Sequence, residues 1–467
     1  MSTALKKTTE FKPTSLNWLG EFPSRWNVQP GLAVLQERQV KNIGLVEPTV
    51  LSLSYGRVVI KPQDKLRGLV PESFETYQIV EAGNIIVRPT DLQNDHVSLR
   101  VGQAKDRGII TSAYLCLETQ GALTEDFAHL LLHAYDIKKV FYGLGSGLRQ
   151  NLSWVDFRRL PIPVPPADEQ AQIVRFIRHL DLRVNRLIKN KRRLIELLNE
   201  QKQAIIQRAV TLGVNPNIQL KPSGIEWLGD IPKNWGRTRL KFEASHIVDC
   251  LHATPMYLSD GVYPAIRTAD IEPGNIRLER ARKISGQEFE KWTARHKPEM
   301  GDILYSREGE RFGIAANVPA DIDLCISQRM MVFRIREPQN SEYLMWQLNC
   351  QHVYLQASLY VVGSTAPHVN VDQIKNFQLA LPPVQEQAAI VDHIRKACSS
   401  INNTVAKSER EIEFVREFRG RLVADIVTGQ LDVRHLELTE VEESLIESID
   451  SGESDEIDNS VEEEAAE

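Results

Sequence analysis

Hydrophobic positions along this chain follow two periods, and the longer-ranged one is helical. From Pro165 to Gly213 apolar residues recur at Ile173, Ile177, Leu180, Val184, Leu187, Leu194, Leu198 and Ile205, in steps of four and three interrupted only by Lys191 and Gln201. A period close to 3.5 predicts one long helix that faces a partner helix. Pro165 and Pro166 bound its start, Asp168 and Glu169 suit the positive end of its dipole, and Gly213 stands where a helix should stop. At ~1.5 Å per residue it would run roughly 65–70 Å, longer than a globular core needs. A second, weaker seam follows Pro382 through Ile390, Ile394, Ala397, Ile401, Val405, Ile412, Val415, Leu422 and Ile426, with Ser408 and charges interleaved. Two such seams pair most simply with each other, antiparallel because the halves that carry them are repeats.

The duplication is written in three landmarks. WLGEFPSRW (Trp18–Trp26) returns as WLGDIPKNW (Trp227–Trp235), and PPxxEQxxIVxxI begins at Pro165 and again at Pro382. Val210-Thr211 and Val427-Thr428 close the two helices with the same spacing of 217. Such self-similarity defines the architecture before any local feature does. Between landmarks the period drops to two: residues 43–60 and 76–118 alternate β-branched and polar positions, echoed by KPEMGDILYSREGE and CISQRMMVFRIRE. Gly83-Asn84-Ile85-Ile86 matches Gly301-Asp302-Ile303-Leu304, after which the polar content diverges, as in two copies of one frame tuned to different targets. Each body then shows a helical pattern (TEDFAHLLLHAYDIKKVFY and SEYLMWQLNCQHVYLQASLY) and a Gly-Ser loop, Gly143–Ser153 and Val361–Val371. Composition leaves each loop readable as a connector or as a ligand contact. The tryptophans read as packing residues that pin the start of each body.

Composition changes the picture in one respect. At 467 residues, with 42% apolar and 25% charged, the chain suits a soluble protein of about three domain-sized parts. Its net charge of -6 hides an asymmetry: residues 437–467 hold fourteen Asp and Glu and no Lys or Arg. Without them 48 acidic residues face 56 basic ones, and the body carries +8, which permits a polyanionic partner. The acidic stretch reads as disordered. Five scattered cysteines form no CxxC pair, and Cys350-Gln351-His352 reads as buried packing rather than a metal site. The start MSTALKKTTEFKPTS has no apolar signal core, and no window of about 18 apolar residues occurs, so a cytoplasmic protein with no membrane role is expected.

Catalytic signatures are missing from the sequence: no G-x-x-x-x-G-K-[ST], no G-x-G-x-x-G after a strand, no G-x-S-x-G, no HExxH, and no Asn-Pro-Pro-aromatic motif of the kind an adenine methyltransferase uses. A self-contained DNA enzyme is therefore disfavoured. A bare coiled-coil scaffold would explain the helices but not two divergent bodies.

With two WLGxxPxxW motifs, two variable bodies, two Gly-Ser loops and two PPxxEQ helices in order, residues 15–430 resemble the specificity subunit of type I restriction–modification systems. The resemblance implies an α+β protein with two repeated α/β target-recognition domains separated by two long helices packed as an antiparallel coiled coil. Its parts would be domain 1 (1–164), spacer helix 1 (165–213), domain 2 (214–381), spacer helix 2 (382–430) and the acidic tail (431–467). It further implies a non-catalytic subunit in which each domain reads half of a split target in double-stranded DNA. The helices would set the spacer and dock two methyltransferase (M) subunits, with motor-nuclease (R) subunits joining later. No cofactor is expected on this chain, S-adenosylmethionine and ATP belonging to those partners. The acidic tail lies outside the family pattern. Arg pairs with guanine and Asn or Gln with adenine, while cations on phosphates position the duplex. Candidates for DNA contact are Arg88, Thr90, Gln93, Asn94, Ser112, Arg149 and Gln150 in the first body. In the second they are Arg267, Thr268, Ser306, Arg307, Arg311, Gln328, Arg329, Ser364, Thr365 and His368.

Overall fold

A computed structural model describes residues 6–8, 10–13, 21–62, 73–95, 98–144, 151–309, 311–359 and 368–436. The chain divides into two compact units, the first made of Met1–Lys191 with Arg410–Glu467 and the second of Arg192–Glu409. Both cuts fall inside the long helices, Ala167–Leu212 and Val384–Val427. The helices are therefore not separate parts, as the five-part division has them: each unit takes in one end of each. The reason is burial. Ile173, Ile177, Ile426 and Val427 sit in the core of the first unit, and Ile206, Val210, Ile390 and Ile394 in that of the second.

The first unit is built on an antiparallel sheet of β1 (Leu35–Glu37), β2 (Ile85–Val87), β3 (Val101–Gln103) and β4 (Leu115–Thr119), in the order β3-β2-β4-β1. Helix Glu125–Ile137 covers it through Phe127, Leu131 and Tyr135. The helical pattern continues past this end, but Lys139 turns left-handed (φ 59°) and Val140–Gly143 is a 3-10 turn. Trp26, 1% exposed, meets Phe127 edge to face at 6.1 Å, which is the packing role expected of it. Trp18 and the two residues after it lie outside the described residues.

The second unit repeats this plan with β5 (Ala244–Asp249), β6 (Ile303–Ser306), β7 (Ala315–Asn317) and β8 (Met330–Ile335) in the order β7-β6-β8-β5. Trp235 meets Tyr343 edge to face at 6.5 Å. One helical pattern here becomes two helices, Ser341–Leu348 and Gln351–Ser358. Asn349 divides them because its amide takes the place of a strand partner, accepting from Ala315 N at 2.9 Å and donating to Ala315 O at 2.8 Å on the edge strand β7. Cys350 and His352 are buried, His352 Nε2 lying 3.1 Å from Gln347 Oε1.

The PPxxEQ motif has a physical meaning in each unit. Gln170 is fully buried: its Oε1 accepts from Thr124 N and Oγ1, and its Nε2 donates to Ala122 O and Pro165 O. Thr124 precedes the covering helix, so this one amide ties that helix to the first turn of the long one. Gln387 does the same with Asn340 N, Gln339 Oε1 and Pro382 O. The neighbouring glutamates reach the residue before each buried tryptophan: Glu169 takes both arms of Arg25, and Glu386 accepts from Asn234 at 3.0 Å. Both helices end on a left-handed glycine, Gly213 (φ 74°) against Trp235 and Gly429 (φ 75°) against Trp26.

The long helices pair antiparallel in both units. In the first, Arg419 forks onto Asp181 at 2.7–2.8 Å and Lys191 pairs with Glu411; in the second, Lys202 donates to Asn402 at 3.0 Å. Lys191, which interrupts the apolar seam, is thus answered by a partner. The inward line differs from the expected seam in the middle, where Leu187 (43%) and Leu194 (40%) are exposed and Ile188 (9%) is buried instead. A straight helix drifts away from a 3.5-residue repeat by about 20° per heptad, and the inward line follows it.

The acidic tail begins later than expected. Leu431–Asp432 forms a strand with Lys6–Lys7, Val433 is buried, and Gln172 donates to the carbonyls of Val433, Arg434 and Leu436. Residues 437–467 lie outside the described residues. Among the described residues no helix is long and apolar enough to cross a membrane, and no group of three His, Cys, Asp or Glu is placed to hold a metal.

Candidate nucleic-acid interface

Strand register brings the polar candidates to one edge of each sheet. Val87 pairs with both Val101 and Leu115, so Arg88, Arg100 and Tyr114 leave the first sheet together. Tyr305 pairs with Ala315 and Met331, and Asp249 also pairs with Met331, so Asp249, Arg307 and Arg329 leave the second sheet together. By this register Arg88 corresponds to Ser306 and Ser112 to Gln328. Frame and register are shared while the residues at the edge differ.

In the first unit the edge loop is moulded on a residue the sequence did not single out. Arg100 is fully buried, and its guanidinium donates to the carbonyls of Thr90 and Asp95 at 2.6 Å and of Asp91 at 3.2 Å, and to Tyr142 Oη at 3.2 Å. Its backbone N–H meets Asp136, whose carboxyl burial holds above the usual range. An Arg set directly before the apolar strand start Val101 was the only sequence signal. Around it Arg88 lies 3.5 Å from Asp95, Asn94 donates to Asp91 at 2.7 Å, and Gln93 is exposed. Thr90 is half-buried, and Ser112 is exposed and donates to Thr76 O at 2.6 Å. These five lie on the turns and loops at this edge. Arg149 and Gln150 lie outside the described residues.

In the second unit three candidates prove structural. Ser306 is 0% exposed, its hydroxyl turned away from solvent. Arg307, 6% exposed, is spent on Asp249 (2.9 Å), Glu308 (2.6 Å) and the Val369 carbonyl. Arg267 forks onto the fully buried Asp270 at 2.7–2.8 Å, and a buried carboxylate needs that partner. Sequence could not show the Arg307 pairing because Asp249 lies 58 residues away, whereas Arg267 and Asp270 are three residues apart. Other candidates remain at the surface. Arg311 donates to Ile271 O at 2.8 Å, Gln328 to Thr254 Oγ1 at 2.9 Å, and Arg329 is half exposed beside Glu308. Thr268 is half-buried, and His368 bridges backbone to backbone with Glu308. Ser364 and Thr365 lie outside the described residues. Residues missed by sequence reasoning are Asp249, His252, Thr254 and Glu308; Asp249 and His252 stand 3.3 Å apart. Cys250 closes the edge from below, its thiol pushed up by burial and by the adjoining Asp249.

Among the described residues each edge offers amides, hydroxyls, guanidinium and carboxylate groups. That mixture can read hydrogen-bonding edges.

Comparison with known proteins agrees with this chemistry. A family model described as the type I restriction modification DNA specificity domain matches residues 104–197 and 254–413, more than half of the chain. The chain is 24% identical over 345 residues to the type I restriction enzyme MjaVIII specificity subunit of Methanocaldococcus jannaschii, covering 71% of this chain and 76% of that one. It is 20% identical over 451 residues to the putative MjaX specificity subunit of the same organism, covering 92% and 98%. A solved chain from work on complex assembly and conformational transition of the type I R-M system shares the fold, with a TM-score of 0.59 at 15% identity, covering 88% of this chain and 99% of that one.

Proposed function

The chain belongs to the type I restriction modification DNA specificity family, and from that premise we propose that each unit reads one half of a split double-stranded DNA target through the polar edge of its four-stranded sheet. One observation supports this most: the same sheet recurs in both units with equivalent register while its edge carries different side chains. Arg88, Gln93, Asn94 and Ser112 would meet DNA from the first unit, and Arg311, Gln328, Arg329 and His368 from the second. Basic groups would hold phosphates and the others would reach base edges.

The long helices would fix the distance between half-sites and dock two methyltransferase subunits, with motor-nuclease subunits completing the assembly. Exposed apolar positions on them favour docking: Leu187, Phe414 and Phe418 on the first unit's share, with the two phenylalanines stacked at 6.4 Å, and Leu194 and Leu197 on the second's. The chain itself would act without catalysis, in the cytoplasm. S-adenosylmethionine would bind the methyltransferase partners and ATP the motor.

The test is reconstitution with methyltransferase subunits, followed by exchange of residues 222–381 for the corresponding stretch of another specificity subunit and mapping of methylated DNA. A change confined to one half-site supports the reading. A native complex that methylates no split sequence, or a chimera altered in both halves, overturns it.

A further inference from the structure

Of the arginines at the second unit's polar edge, one has a constrained backbone and, among the described residues, a side chain whose charged partner lies no nearer than 4.0 Å. Arg329 adopts φ 70°, a left-handed conformation that non-glycine residues seldom take. Such a conformation persists only where the surroundings enforce it, and such sites cluster where function needs a group placed. Here both peptide groups are clamped. Its N–H donates to the buried Cys250 Sγ at 3.1 Å, and its carbonyl accepts from Arg307 N at 3.1 Å. The residues on either side are held too, Gln328 by Thr254 Oγ1 and Met330 through its carbonyl by Cys250 N. At the equivalent register position of the first unit stands Ala113, which has no such conformation. The device belongs to this unit's edge and not to the shared frame.

The side chain is 50% exposed, and among the described residues its charged partner is Glu308 Oε2 at 4.0 Å. Glu308 is itself held by Arg307 at 2.6 Å, so it can steer the Arg329 guanidinium without occupying its hydrogen bonds. Arg267 and Arg307 differ, being closed onto carboxylates at 2.7–2.9 Å. A planar fork of donors, presented by a fixed backbone and flanked by a tethered carboxylate, matches the paired O6 and N7 acceptors of guanine in the major groove. Lysine, a point charge on a flexible stem, cannot reproduce that geometry, although it would serve a phosphate.

We propose that Arg329 is the guanine-specifying residue of the second unit, with the left-handed backbone at 329 serving to place it. This rests on the DNA-reading role proposed above. The experiment is methylation mapping with the full chain and its methyltransferase partners, for the native protein, Arg329→Gly and Arg329→Lys, alongside the thermal midpoint of each chain. Glycine suits φ 70°, so Arg329→Gly should melt at or above the native temperature while discrimination at one guanine falls roughly tenfold to a hundredfold. The spacer and the other half-site should stay unchanged, and Arg329→Lys should lose the same guanine. An unchanged motif in Arg329→Gly, a native motif retained by Arg329→Lys, or weaker methylation at every sequence alike would each overturn the assignment. A native complex with no split motif defeats instead the reading on which it rests.

Discussion

Replacing Gln170 by alanine tests whether the PPxxEQ motif is a structural clamp. The side chain is fully buried and makes four hydrogen bonds: two accepted from Thr124 and two donated to the Ala122 and Pro165 carbonyls at 2.8–2.9 Å. Each is worth about 1 kcal/mol net, and the mutation leaves one N–H and two carbonyls without that partner, so a loss of about 4 kcal/mol is expected. For a unit of this size, 1 kcal/mol moves the melting temperature by roughly 2–4 °C, which predicts a fall of about 10 °C. Calorimetry of the full chain should show that fall, with Gln387→Ala acting similarly through Asn340, Gln339 and Pro382. The exposed Gln201→Ala is the control and should stay within about 0.5 kcal/mol of native. If Gln170→Ala matches that control, the amide is not holding the helix start and the account of the motif is wrong.

Two further outcomes follow from charge and burial. Burial and their mutual repulsion hold His129 at a pKa of about 4, and burial with the nearby Arg419 holds His133 there too, against 6.5 in the unfolded chain. The unfolded state takes up protons first as pH falls, so this stability is fully present above about pH 6.5 and is lost between 6.5 and 4. Chemical denaturation across that window should show the decline, and the double variant His129→Gln, His133→Gln should flatten it. Deleting residues 437–467 removes fourteen carboxylates and takes the net charge from -6 to +8, so affinity for random-sequence DNA should rise and its salt dependence steepen, as read by fluorescence anisotropy.

The parts of this molecule that sequence displays are those that repeat. The paired PPxxEQ and tryptophan landmarks announced two bodies and two helices, because the contacts that fix them (Gln170 with Thr124, Gln387 with Asn340) are the same in both copies. Individual site residues were less legible. Arg307 and Arg329 look equivalent in a string of letters, yet one is consumed by Asp249 and the other is not, and only the register of β5, β6 and β8 brings those residues together. Leu187 and Leu194 were misplaced for a different reason: heptad spacing fixes a seam only where both helices supercoil to follow it.

The helices' part as a ruler is tested most directly by lengthening both of them. Insertions should lie opposite each other, and the pairs Lys191–Glu411 and Lys202–Asn402 place them between 191 and 202 on one helix and between 402 and 411 on the other. One heptad in each adds about 10 Å of rise, equivalent to about three base pairs of duplex, and leaves both sheets untouched. Mapping methylated sites for this variant with its partner subunits should return both native half-sites, with the spacer two to three base pairs longer, an estimate from those rises. Full methylation at the native spacer would contradict the account.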